Sequence, residues 1–253
     1  MKQSLISALI FLCSVSFATA GWIVEENETL PAPAGISFTR RAVRDEANRK
    51  VELHLVGFTT TEHSCVVMDN PAGELTLASA AKKRGVLAAV NGGYFHPDRT
   101  PLGLVVRDGK TLHAFERARL LSGLLVVSKG RVTLLRASEF KQSASVREAL
   151  QAGPFLVDKG RAVAGLNATR FAARTVVLQL EGARRGLLVA DSITLAQMGD
   201  LLAAKGIAIE GQIVRALNLD GGSSTGLWVR SDPEFYRREY KDVRNYLGIV
   251  PLR

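Results

Sequence analysis

The sequence predicts an α+β fold, with a mixed, mostly antiparallel, curved sheet packed with about three helices in a single domain. Three observations lead there. Short apolar or alternating runs outnumber helical patterns, several of these runs meet at tight glycine corners, and no regular strand–helix alternation or fixed repeat is present. No stretch rich in Gly, Ser or Pro divides the chain.

The elements follow in order. Lys2, an apolar stretch over residues 5–17 and the small-x-small pattern Ala18-Thr-Ala20 read as a signal peptide cleaved after Ala20. The run is too short for a helix spanning a bilayer of about 30 Å. The expected location is therefore periplasmic or secreted, without stable membrane insertion. Removing 20 residues from 253 would leave 233, enough for one large domain. Residues 21–35, with Pro31 and Pro33, read as a loosely ordered lead-in, and residues 36–253 as the folded domain.

Within that domain, residues 51–56 alternate as a half-buried strand and residues 65–68 form a second. Residues 76–84 suit a short helix stopped by Gly85, feeding an apolar strand over 86–90. Hairpins are expected at Asp108-Gly109, Lys129-Gly130 and Glu181-Gly182. A helix is expected over 145–151, before Gly153-Pro154. Another over 194–205 has Thr194 as N-cap, Leu195, Met198, Leu201 and Leu202 on one face, and Gly206 as its stop. Residues 213–217 form a further apolar strand.

Composition narrows the function classes. Hydrophobic residues make up 47 % and charged residues 23 %, as in globular proteins. The net charge is +9, of which Lys2 supplies one. The basic residues are scattered and no aromatics interleave with them, which argues against nucleic acid; the positive field suits anionic partners such as phosphate-bearing glycans or lipid head groups, or simply a soluble basic surface. With Cys13 in the leader, Cys65 stands alone, so no internal disulfide is expected; Cys65 reads as a small buried hydrophobe.

Two strand ends carry the chemistry: Asn91-Gly-Gly-Tyr-Phe95 and Asn218-Leu-Asp-Gly-Gly-Ser-Ser-Thr-Gly226. Each breaks an apolar run with an Asn and small residues, where backbone turns sharply or approaches a ligand. Asp220 there can be a general acid or base, a nucleophile, a metal ligand, or only an Asx-turn residue. Gly221 and Gly222 offer N–H groups to an anion, and Ser223, Ser224 and Thr225 offer hydroxyls to phosphate or sugar oxygens. Asn91 and Asn218 can donate and accept at once, as a sugar hydroxyl requires, or can serve the turns alone. Gly92 and Gly93 lead to Tyr94, an aromatic wall or a core plug, and His96 adjoins the same turn. Arg174 begins an apolar strand and could clamp a phosphate. No Gly-x-Ser-x-Gly elbow, phosphate-binding loop or zinc-type spacing is present; the sequence indicates no cofactor and leaves a divalent metal unknown. Asn27-Glu-Thr29 and Asn167-Ala-Thr169 match a glycosylation pattern too short to carry weight.

Together, Asn91-Gly-Gly-Tyr-Phe95, Leu102-Gly-Leu-Val-Val106, Asp108-Gly109, Gly153-Pro154, Arg174-Thr175, Ala216-Leu-Asn-Leu-Asp-Gly-Gly-Ser-Ser-Thr225 and Tyr246-Leu-Gly-Ile-Val250 resemble the phosphodiester glycosidase family. The resemblance implies that residues 36–253 are catalytic and hydrolyse a sugar-1-phosphodiester of envelope or extracellular glycans. It places Asn91, Arg174 and Asp220 at family motif positions. Two departures stand out: Val176-Val177-Leu178 follows Arg174-Thr175 where the family has a small residue and then Gly, and His96 replaces an acidic or small residue. A second carboxylate is open among Asp98, Glu181 and Asp191. Two rival readings remain: a non-catalytic protein binding anionic glycan, and a metal-dependent phosphodiesterase.

Overall fold

The computed structural model describes residues 21–252, so the signal-peptide reading falls outside the described residues. In chain order the first strands are β1 (Trp22–Thr29), β2 (Ser37–Asp45), β3 (Lys50–Thr59), β4 (His63–Asp69), β5 (Ala88–Asn91) and β6 (Val105–Arg107). Next come β7 (Lys110–His113), β8 (Gly123–Ser128), β9 (Arg131–Arg136), β10 (Val146–Ala152), β11 (Phe155–Asp158) and β12 (Arg161–Ala162). The last are β13 (Ala172–Leu180), β14 (Arg184–Ile193), β15 (Ile213–Asn218), β16 (Leu227–Val229), β17 (Phe235–Arg237) and β18 (Asn245–Pro251). Helix α1 (Leu77–Arg84) precedes β5, and α2 (Leu195–Ala203) precedes β15.

The strands form three sheets, ordered β1-β2-β3-β14-β13-β15-β11-β12, β7-β6-β10-β8-β9 and β17-β16-β5-β18-β4. Every strand pair among the described residues is antiparallel, which corrects the mixed sheet expected from sequence. The inner faces share one core: Phe38 and Val56 of the first sheet meet Leu125 and Leu150 of the second and Val90 and Leu247 of the third. Helix α2 covers the outer face of the first sheet with Met198, Leu201 and Leu202, and α1 covers the third with Leu77 and Ala81. The result is a single, sheet-rich domain.

Two α-helices, not three, are present among the described residues, and the reason lies in β10. Ser-Val-Arg-Glu-Ala-Leu-Gln carries helix formers, yet Val146–Ala152 pairs with β6 and β8 in mid-sheet and is buried on both faces. Packing on two faces overrides propensity there. The lead-in is also corrected. Trp22–Thr29 is an edge strand paired with β2, so the first sheet begins before residue 36. Only Trp22 of it is buried; backbone bonds and cross-strand pairs such as Arg40–Glu28 and Lys50–Glu26 hold the rest, which is why its polar sequence looks loose. The hairpins at Asp108-Gly109 and Lys129-Gly130 form as expected, all four residues having left-handed φ. Both helices start where expected, with Thr76 and Thr194 as caps; α2 ends at Ala203, ahead of Gly206. Cys65 is fully buried, which raises its thiol to about 12 and leaves it unreactive at neutral pH.

Glu148 on β10 links the second and third sheets. It is buried, and its carboxylate accepts the Val67 N–H at 3.0 Å and the Asp108 N–H at 3.1 Å. Burial outweighs these bonds and raises its carboxyl from 4.5 to about 7. The folded state therefore holds this proton more tightly than the unfolded chain. The contribution is complete below the unfolded value and is lost as pH rises through about 7. Compared with Glu148→Gln, the wild-type Tm should fall between about pH 5 and about pH 8, a difference that paired thermal melts would measure.

Candidate active site

The ends of β5 and β15 belong to different sheets, and the turns that follow them meet. Asp220 donates its N–H to Gly92 O at 3.1 Å, and Asn91 Nδ2 donates to Asp220 O at 2.7 Å. Asn91 is wholly buried, and its Oδ1 accepts the Thr175 hydroxyl at 2.6 Å and the Gly226 N–H at 3.2 Å. One amide thus ties three segments together. These bonds make Asn91 the residue that ties the corner together.

Asn218 is used in the same way. It is buried, and its Nδ2 reaches the Tyr94 hydroxyl at 2.9 Å, Gly153 O at 3.2 Å and Leu219 O at 2.6 Å. Tyr94 donates its hydroxyl to Gly153 O at 2.7 Å, and burial followed by the Asp220 charge pushes the phenol above its ordinary range. Tyr94 is therefore a neutral wall that also pins the Gly153-Pro154 segment. Tyr94→Phe should cost about 1 kcal/mol of unfolding free energy, read by denaturant titration, because Asn218 still bonds Gly153 O.

Asp220 sits on the rim, half-buried. Its Oδ1 accepts the Gly221 N–H at 2.8 Å. Burial raises its pKa, and the Ser224 hydroxyl, the Gly221 N–H and the charges of Lys241 and Arg170 act in the opposite sense. Gly222 to Ser224 form a 3-10 turn in which Gly222 has φ +63° and faces open space. Ser223 is exposed, whereas Ser224 and Thr225 are buried. Gly92 and Gly93 are buried at the junction with β18, donating their N–H groups to Asn245 O at 2.8 Å and Asn245 Oδ1 at 2.9 Å.

Arg174 is 8 % exposed, and its Nε and Nη2 donate to Ile193 O at 3.0 Å and Arg170 O at 2.7 Å. Its charge acts on Tyr94, while the cations that act most on Asp220 are Lys241 and Arg170. Asn91 and Asp220 thus share one corner, with Arg174 at its edge by way of Tyr94. His96 is exposed in the turn beyond, its N–H bonded to Thr100 O at 2.8 Å. Of the other acids, Asp191 pairs with Arg237 at 2.7 Å, Asp98 accepts the Thr100 N–H at 2.9 Å, and Glu181 lies exposed at its hairpin turn.

Sequence reasoning missed Arg170, Lys241, Thr175 and Asn245. A signal for Arg170 existed. Asn167-Ala-Thr169, dismissed as a chance pattern, is an Asx turn whose Asn167 Oδ1 accepts the Arg170 N–H at 2.7 Å. Cavities of about 800 Å³ beside Phe115 and Leu121, and about 610 Å³ beside Trp22 and Asp45, lie elsewhere and include no motif residue. Chemistry, not volume, marks the corner. Among the described residues no three His, Cys, Asp or Glu side chains cluster as a metal site.

Antiparallel sheets whose strand ends meet at a glycine-lined corner carrying one carboxylate define the class of this fold and site. The chain belongs to the phosphodiester glycosidase family, which matches residues 84–250. Its fold is similar to the catalytic domain of zebrafish N-acetylglucosamine-1-phosphodiester alpha-N-acetylglucosaminidase, auto-inhibited by its pro-peptide. That likeness has a TM-score of 0.64 at 18 % identity and covers 91 % of this chain and 88 % of the other. A hypothetical protein from Synechocystis is similar at TM-score 0.62 and 16 % identity, over 90 % of this chain and 64 % of that one. A candidate exported protein from Burkholderia pseudomallei follows at TM-score 0.57 and 13 % identity, over 84 % and 74 %. Comparison with curated protein sequences gives no match.

Proposed function

We propose that the protein is an exported hydrolase, periplasmic or secreted after cleavage following Ala20, that splits the bond between a sugar's anomeric carbon and a phosphodiester oxygen. The observation that carries this reading is the joined corner: Asn91 Nδ2 to Asp220 O at 2.7 Å and Asp220 N–H to Gly92 O at 3.1 Å, with the Asp220 carboxylate on its rim. Family membership and the zebrafish relative's substrate support the bond type. The leader-like residues 1–20 and the Burkholderia relative support export. No helix among the described residues is long and apolar enough to cross a membrane.

The chemistry follows from the leaving group. A phosphodiester oxygen departs as a weak base and needs little protonation, so catalysis can rest on charge. Asp220 acts as base toward water or as electrostatic partner of an oxocarbenium-like sugar. Arg170 and Lys241, with the remaining donors of Arg174, neutralise the departing phosphate. Ser223 and the open face of Gly222 contact the substrate, and Tyr94 lines it.

Hydrolysis of N-acetylglucosamine 1-(methyl phosphate) in ¹⁸O-labelled water tests the reading. The expected products are free sugar bearing the label and unlabelled methyl phosphate. Label in phosphate, with activity lost to a chelator, would instead identify a metal-dependent phosphodiesterase. Saturable binding with no product would identify a glycan-binding protein.

A further inference from the structure

Glu239 is 6 % exposed and lies outside every sequence motif. Its Oε1 accepts the Leu77 N–H at the start of α1 at 2.6 Å, and its Oε2 accepts the Tyr236 hydroxyl at 2.9 Å; the Tyr246 hydroxyl, 3.4 Å from Oε1, donates to Leu75 O at 2.6 Å. A buried carboxylate with these donors is a fixed anchor, and the N-terminal end of a helix favours its charge. The anchor reaches both ends of the Asp220 turn. A Cβ added at Gly226 would stand 3.2 Å from Glu239 Oε2 and 3.3 Å from its N, and Gly226 itself donates to Asn91 Oδ1. Tyr240, the next residue, donates its N–H to Ser223 O at 2.8 Å. Lys241 follows, with Nζ 5.2 Å from the centre of the Phe95 ring.

We propose that Glu239 is a positioning residue that seats the 223–226 turn on helix α1 and, through Tyr240 on Ser223, carries Lys241 to the Asp220 corner. This rests on the reading of Asp220 as the working carboxylate. The groups acting on Asp220 are Lys241, Arg170, the Ser224 hydroxyl and the Gly221 N–H, with the Tyr94 phenol beside it. Lys241 is the member of this set set two residues from the anchor. An anionic substrate entering the corner pushes Asp220 toward its neutral form, and Lys241 opposes that push.

The test uses the full chain, the pH profile of kcat/KM on N-acetylglucosamine 1-(methyl phosphate), and a ¹³C carboxyl titration of Asp220. Lys241→Met should keep the wild-type Tm, move the acid limb and the Asp220 midpoint to higher pH, and lower kcat/KM about tenfold on that limb. Glu239→Ala should move both in the same direction. Glu239→Gln, which keeps an acceptor for Leu77 N–H, should stay within about threefold of wild type. Should Glu239→Ala not fold, Glu239→Asp takes its place. An unmoved Asp220 midpoint in Lys241→Met, or in a folded Glu239 variant other than Gln, overturns the proposal. If the wild type hydrolyses no phosphodiester, the functional reading fails and the carboxyl titration alone judges the anchor.

Discussion

Asp220→Asn should lower kcat/KM on a sugar-1-phosphodiester by about 10²–10⁴ while leaving the Tm near that of wild type. The separation of activity from stability follows from where its bonds lie. The corner is held by Asp220 main-chain atoms, its N–H to Gly92 O and its carbonyl to Asn91 Nδ2, and neither depends on the side chain. The carboxylate accepts the Gly221 N–H at 2.8 Å, and the Asn carbonyl oxygen can take over that bond. What vanishes is the negative charge opposite a developing positive sugar. Wild-type kcat/KM should in addition fall on acidification at a pH above that of an ordinary aspartate, because burial is the largest influence on Asp220 and raises its pKa. In Asp220→Asn that limb should be missing. Wild-type turnover in a folded Asp220→Asn protein would end the assignment.

Much of this corner was legible in the chain because small residues at strand ends have a local cause. Asp108-Gly109 and Lys129-Gly130 can be read as hairpins since their φ values are set within two residues. The meeting of Asn91 with Asp220 was legible as paired motifs, but not as a hydrogen bond between two sheets. Asn91 shows the limit most clearly. Its amide was expected to face a sugar, yet it faces Thr175, Gly226 and Asp220, partners 84, 135 and 129 residues away. Lys241 and Glu239 were invisible for the same reason: nothing near them in sequence marks them, and only the fold brings the loop between β17 and β18 onto Ser223 of the Asp220 turn. The strand over Val146–Ala152 was misread because a strand buried on both faces has no period of two to detect.

Gly92→Ala should cost about 3–5 kcal/mol of stability by denaturant unfolding. A Cβ there would lie 2.7 Å from Asn245 O and 3.0 Å from Asn245 C, and those backbone atoms cannot rotate away as a side chain would. Relief requires β5 and β18 to part. That movement breaks Gly92 N–H to Asn245 O and Gly93 N–H to Asn245 Oδ1, and it displaces Gly92 O from the Asp220 N–H. Any protein that still folds should therefore have its carboxylate out of place and lose activity as well. Gly222→Ala separates this steric cause from a mere need for glycine in the motif. Gly222 has φ +63° but nothing within 4 Å of an added Cβ, so the change should cost only about 1–2 kcal/mol of backbone strain. If both variants lost the same stability, the close packing of Gly92 on Asn245 would not be what holds β5 and β18 together beneath the corner.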